Sequence, residues 1–183
     1  MHNEIDDSLL IEMFKNADSK SFAFNQIVLK YQERVYWHIR KMVINHDDAD
    51  DLVQESFIKV WNSLDKFRNE SSLYTWIYRI ATNETLAFLK KQKSYNHISW
   101  QDVENDLRDT LKQDIYFNGD DAQIKFQQIL ASLPPKQRLV FNMKYFDEMK
   151  YEEIAEILGT SVGALKASYH IAVEKIKKNI NNV

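Results

Sequence analysis

The sequence predicts an all-α protein: two small helical domains joined by an acidic flexible linker. Three observations carry that expectation. Glycine and proline are scarce, with three and two copies in 183 residues, and none of them lies before Gly119. Breakers that rare suit helices joined by short polar turns. Apolar residues recur at helical spacing along most of the chain. Acid is concentrated in the middle. Residues 1–95 carry 13 basic and 14 acidic side chains, residues 96–122 carry 2 and 7, and residues 123–183 carry 9 and 6. The middle segment also holds Asn96, Asn105, Asn118, Gly119 and the Asp120–Asp121 pair, the composition of a tether. The predicted division is therefore 1–95, 96–122 and 123–183.

Taken in order, residues 8–45 show helical patterning from Leu9, Leu10, Met13 and Phe14 through Phe22, Phe24, Ile27, Val28, Tyr31, Val35, Ile39 and Val43. Asn45-His-Asp47 interrupts it and supplies a cap for a helix from Asp48 to about Leu64. That helix turns Leu52, Val53, Phe57, Val60, Trp61 and Leu64 inward, leaving Asp51, Gln54 and Glu55 on the opposite face. A polar loop, Arg68-Asn-Glu-Ser-Ser72, leads to a helix from Leu73 to Lys93. Ile77, Ile80, Ala81 and Leu86 pack inward there, while Trp76, Arg79, Asn83, Lys90, Lys91 and Lys93 offer aromatic, amide and cationic groups. Interleaved rings and cations suit single-stranded nucleic acid, whose bases stack and whose phosphates need positive charge. The same residues also suit a core with a solvated helix end, and the sequence leaves both readings open.

Near the C-terminus, Pro134 and Pro135 precede a helix, and Tyr151 to Tyr169 reads as two helices around a tight turn. Ile154, Ile157 and Leu158 line the first helix, and Ala155 permits a close crossing. Gly159 supplies a left-handed stop. Thr160 or Ser161 caps the second helix, whose inward face runs Val162, Leu165, Tyr169, Ala172, Ile176, Ile180. A short helix, a glycine turn and a longer helix form a helix-turn-helix, the second helix shaped for a DNA major groove. The alternative is a helical hairpin that binds nothing.

Other chemistry finds little footing. No cysteine occurs, which excludes disulfides and thiolate sites and fits a reducing cytoplasm. No stretch approaches the ~20 apolar residues of a bilayer span, so no membrane insertion is expected, and the start of the chain lacks the regions of a signal peptide. The run Asp47-Asp-Ala-Asp-Asp51 could hold Mg²⁺, as in all-helical prenyl-transferring enzymes, but no second carboxylate cluster answers it. Acid at a helix N-terminus is favoured by the helix dipole and accounts for the run without metal. His2, His38, His46, His97 and His170 are scattered, and no hydrolytic constellation emerges. No catalytic group, cofactor or metal is expected.

Three motifs, in order, resemble the extracytoplasmic-function sigma factors of bacterial RNA polymerase. Asp47 to Trp61 is similar to that family's polymerase-docking helix, and Phe67 to Asn83 to its promoter-melting loop and helix. Leu133-Pro-Pro-Lys-Gln-Arg-Leu-Val-Phe141, running into the helix-turn-helix, is similar to its C-terminal domain. The resemblance implies a sigma-two-like bundle and a sigma-four-like domain, and partners in core RNA polymerase, promoter DNA and an anti-sigma factor. It implies that Asp51, Gln54 and Glu55 contact the polymerase clamp. Asn69, Glu70, Ser71 and Ser72 would hold a flipped base of the minus-ten element, with Trp76, Arg79, Asn83, Lys90, Lys91 and Lys93 alongside. The minus-thirty-five element would fall to Ser161, Ala164, Lys166, Ala167, Ser168 and His170. Relatives often carry arginines at the positions of Ser168 and Ile171, and an acidic residue at Ala87; this chain lacks all three. A helix-turn-helix regulator acting without polymerase is the alternative reading.

Overall fold

The computed structural model describes residues 5–43, 45–95 and 121–181. The expected linker, 96–122, lies outside the described residues except for its last two positions. Among the described residues every regular element is helical. The elements are α1 (Asp7–Lys15), α2 (Lys20–Arg40), α3 (His46–Ser63), a 3₁₀ turn (Leu64–Lys66) and α4 (Leu73–Tyr95). After the undescribed stretch come α5 (Asp121–Ser132), α6 (Pro135–Tyr145), α7 (Tyr151–Leu158) and α8 (Val162–Asn181).

Helices α1 to α4 form a bundle in which α2 touches each of the other three. Its interior is built from Leu10, Phe14, Ala23, Ile27, Val35, Ile39, Val60, Leu64, Ile77 and Ala81, all almost fully buried. Around Phe14, rings pack edge to face: Trp61 lies 5.2 Å from Phe14 and 4.9 Å from Phe24. Such geometry sets the positive edge of one ring against the negative face of another. The patterning over 8–45 is split by the turn Asn16–Ser19, which neither glycine nor proline announces. Asn16 folds its side chain back onto the Asp18 amide (3.1 Å), and the Ser19 hydroxyl donates to the Met13 carbonyl (2.7 Å). Those local bonds compete with the helical ladder and stop it.

Two apolar clusters occupy the C-terminal helices. Ile129, Leu130, Leu133, Phe141, Ala172 and Ile176 make one between α5, α6 and α8. Leu139, Val140, Met143, Met149, Ile154, Ile157 and Leu165 belong instead to the cluster that fills the N-terminal bundle. The apolar interior is thus continuous across the two helical groups, with α7 packed on α4. Ile180 departs from the expected inward face and is exposed. The last buried residue of α8 is Ile176, beyond which the helix outruns the elements it packs on.

The turn between α7 and α8 forms as its chemistry requires. Gly159 adopts φ +60°, and the Thr160 amide donates to the Ala155 carbonyl (3.3 Å). The Ser161 hydroxyl then accepts from the Ala164 amide (3.3 Å) and caps α8. A Cβ at Gly159 would meet nothing within 4 Å, so backbone handedness, and not space, selects glycine there. Gly159→Ala should therefore cost about 1–2 kcal/mol in urea unfolding, the penalty for a left-handed L-residue. Gly163→Ala, in a right-handed helix and equally open space, should instead gain about 0.4–1 kcal/mol.

Candidate polymerase and nucleic-acid interfaces

Three exposed faces carry the residues singled out by the sequence. The first is on α3, which begins two residues earlier than expected because Asn45 caps it: the Asn45 side-chain oxygen accepts from the Asp47 (2.7 Å) and Asp48 (3.3 Å) amides. Asp47 and Asp48 then occupy the first turn, where the helix dipole favours acid. Burial, with Asp51 and Asp47 nearby, pushes the Asp48 carboxyl above its ordinary value. Asp51, Gln54 and Glu55 are all exposed. One turn further, Ile58 is 59% exposed on the same side, an apolar residue unused by the core. Sequence reasoning missed it, although an isoleucine at i+3 from Glu55, off the inward stripe, is the signal that finds it. Among the described residues no group of three His, Cys, Asp or Glu could hold a metal ion, and the aspartate run serves its helix end.

The second face comprises the loop after the 3₁₀ turn and the outer side of α4. Phe67 anchors the loop by burying itself against Trp76 (ring centroids 5.1 Å apart). Asn69 takes φ +55°, a conformation asparagine tolerates better than most residues, and leaves Glu70 at the exposed tip. Ser72 accepts from the Thr75 amide (3.0 Å) and shares a bond with the Thr75 hydroxyl (2.9 Å), so it is the cap of α4. Trp76, Arg79, Asn83, Ala87 and Lys90 follow at i, i+3, i+7, i+11 and i+14, one stripe along the helix. Trp76 is half-buried, and Arg79, Asn83, Lys90 and Lys91 are exposed. The side chain of Lys93 lies outside the described residues. Tyr78 belongs to the interior: its hydroxyl donates to the Arg34 carbonyl (3.0 Å), and burial, then neighbouring Tyr74, pushes its pKa up. The aromatic helix therefore divides its rings between core and surface.

The third face is on α8. Ser161, Ala164, Lys166, Ala167 and His170 are exposed, and Ser168 is half-buried. The Lys166 ammonium lies 5.7 Å from the Tyr151 ring. Lys175 donates to Gln137 (3.0 Å), which turns it towards α6. Two further residues share the outer side, Ile171 (44% exposed) and Glu174, the latter paired with Lys177 at 3.1 Å. The outer surface of this helix is thus small and apolar, with Lys166 its one lysine, as far as Ile171, and charged beyond it.

Residues 27–95 match the family model of sigma-70 region 2, and residues 123–176 match that of sigma-70 region 4. The ECF RNA polymerase sigma-E factor of Salmonella typhimurium (strain LT2) is 33% identical over 98% of this chain and 97% of its own length. The chain belongs to the ECF sigma factors. This sigma factor is also 32% identical to the ECF RNA polymerase sigma factor SigW of Bacillus subtilis (strain 168), over 94% of the chain and 96% of SigW. Its fold is similar to two solved structures. One is the sigma factor RpoE in complex with the anti-sigma factor NepR from Bartonella quintana (TM-score 0.65, 23% identity, 86% of this chain, 96% of that chain). The other is CnrH in complex with the cytosolic domain of CnrY (TM-score 0.68, 21% identity, 96% and 97%). Like its family, this sigma factor binds RNA polymerase, directs transcription initiation at promoter DNA, and is not an enzyme.

Because Ser72 is spent on capping α4, Ser72→Ala should lower stability by about 1 kcal/mol in chemical unfolding, and Ser72→Asp should restore most of that loss. Equal stability of all three proteins would mean that the hydroxyl is free for another role.

Proposed function

We propose that the three faces divide the work of initiation, with residues 1–95 docking on polymerase and holding the minus-ten element and residues 123–183 reading the minus-thirty-five element across the 96–122 linker. The observation that carries this reading is the α3 face. Its apolar side is committed to the core, yet Asp51, Gln54 and Glu55 stand out of it with Ile58 among them. An exposed isoleucine bordered by carboxylates and an amide has the make-up of a small interface, apolar beside polar. The cognate surface on polymerase should be basic.

On the second face, Asn69, Glu70 and Ser71 form the rim that receives a base released from the duplex, and Ser72 sets the start of the helix beneath it. Trp76 offers a stacking surface, Arg79 and Asn83 offer donors, and Lys90, Lys91 and Lys93 neutralise phosphates of the separated strand. On the third face, Ala164 and Ala167 let the groove approach α8 closely. Lys166, His170, Ser161 and Ser168 supply the polar contacts, and Lys166 is the group suited to guanine acceptors. The protein acts in the cytoplasm, and an anti-sigma factor controls it; the two similar solved folds, each bound to such a partner or to a cytosolic domain, support that expectation.

Asp51→Ala combined with Gln54→Ala should weaken binding to core polymerase by about 1–3 kcal/mol per lost contact while leaving the far-ultraviolet spectrum unchanged. Unaltered affinity in a titration with core enzyme removes the docking role. Lys166→Ala should relax preference at one base pair and cost about 1–3 kcal/mol at the best promoter. If transcription falls evenly across promoters with a shallower salt slope, Lys166 meets a phosphate and some other residue reads the sequence.

A further inference from the structure

Lys20, the first residue of α2, stands where helix electrostatics disfavour it. The positive end of the dipole favours acid in a first turn, and α2 has none there. Ser19 before it makes no capping bond with its side chain, and its hydroxyl donates instead to the Met13 carbonyl (2.7 Å). What holds Lys20 lies on three other elements. Its ammonium sits 4.5 Å from the centre of the Phe14 ring on α1 and 5.3 Å from that of Trp61 on α3. It also donates to the Asp65 carboxylate of the 3₁₀ turn at 2.8 Å. An exposed ion pair alone is weak. Here only 30% of the Lys20 side chain meets solvent, and two ring faces add their negative potential to that of the carboxylate.

The turn that Lys20 grips is the base of the loop between α3 and α4. Leu64 is fully buried, the Phe67 amide donates to the Leu64 carbonyl (3.1 Å), and the turn packs on both α1 and α3. Two residues beyond Asp65, Phe67 sets its ring 5.1 Å from Trp76. At the tip, Arg68 and Glu70 are largely exposed and approach one another only to 3.9 Å, so that pair holds the loop weakly. One end of the loop is fixed on α4 by the Ser72 cap. The other end is fixed by the turn that Asp65 and Lys20 tie to the bundle.

We propose that Lys20 is a positioning residue for base capture. By drawing Asp65 towards the Phe14 and Trp61 rings, it fixes the 3₁₀ turn and, through Phe67, the placement of the rim Asn69–Ser71 relative to Trp76. This rests on the assignment of that rim to an extruded base of the minus-ten element. Extrusion sacrifices stacking, and capture offsets the loss only where the receiving groups are already in place. A rim that had to be ordered on binding would return part of the gain as lost conformational freedom. The ammonium is the working part of the side chain. A neutral chain of similar length can cover the rings, but it does not draw Asp65.

Polymerase carrying the sigma factor is titrated with a forked promoter fragment, its sequence taken from a transcript the same polymerase initiates. The unpaired non-template strand is made abasic at one position after another. With the parent, one position should stand out, its loss weakening binding about tenfold. Lys20→Met should shrink that effect to less than about twofold, and Asp65→Asn should do the same, with little further change when the two are combined. Lys20→Arg, which keeps a cation over the rings, should recover most of it. Affinity for core polymerase should match the parent throughout, because Asp51, Gln54 and Glu55 are exposed on α3 away from Trp61. A loss of stability alone lowers binding of every fragment equally and cannot act at one base. A parent-sized effect at that position in Lys20→Met, or a uniform loss at all positions, overturns the positioning role. If no position stands out with the parent, the assignment of the rim to base capture fails, and the role of Lys20 fails with it.

Discussion

The structure depends on how the C-terminal end of α2 is finished. Helix α2 touches α1, α3 and α4, so its position bears on the whole N-terminal bundle. Its trailing carbonyls cannot be left bare in an interior where Leu139, Val140 and Met143 pack beside Met42 and Val43. Finishing the helix with Arg138 and Asn142 fastens one helical group to the other and fixes where α7 crosses α4. Apolar area supplies most of the attraction at this seam, because burial of Met143, Ile154 and Ile157 is almost complete. Polar geometry supplies the register. The observed placement brings the Arg138 guanidinium to the Met42 carbonyl, the Asn142 amide to the Lys41 carbonyl and the Asp147 carboxylate to the Lys41 ammonium.

Asp147 shows how finely that register is balanced. Burial pushes its carboxyl up, yet His38 and Lys41 together outweigh burial and hold it below its ordinary value. It is therefore ionised at neutral pH and draws Lys41, whose ammonium also lies 5.6 Å from the Phe146 ring. Among the described residues no carboxylate pairs with Arg138, and burial lowers its pKa to about 10. At neutral pH it stays charged, held by a carbonyl and the helix dipole. Burying a cation is costly, and the Met42 carbonyl at the end of α2 offsets part of that cost.

Local chemistry was legible in the sequence wherever a single residue decides a backbone conformation. Gly159, Ser161, Pro135 and Asn45 each stand where turn and capping rules place them. The three exposed faces were legible too, since Asp51, Trp76 and Lys166 fall off their helices' apolar stripes. What escaped depends on partners distant in the chain. Nothing within ten residues of Arg138 or Asn142 indicates that they serve carbonyls at 42 and 41. Similarly, Tyr78 differs from Trp76 by two positions and one helical face, and only the Arg34 carbonyl across the bundle marks it as interior. Ile58 was hidden for the opposite reason: an isoleucine in a helix is expected inside, and only the finished bundle shows it exposed, with no element over it among the described residues.

The charge on α8 is unevenly placed: Lys166 is the one cationic side chain from Val162 to Ile171, and Glu174, Lys175, Lys177 and Lys178 follow at the C-terminal end. The exposed Ala164, Ala167, His170 and Ile171 would give that first half little electrostatic affinity for DNA. A freely acting regulator would need that affinity to find its site. A sigma factor, which binds promoter DNA together with RNA polymerase, need not supply all of it from one helix. With Lys166 lying 5.7 Å from the Tyr151 ring and Lys175 turned onto Gln137, that side of the helix is left to small and apolar groups, so any affinity it has for a partner must come from shape and close approach more than from charge.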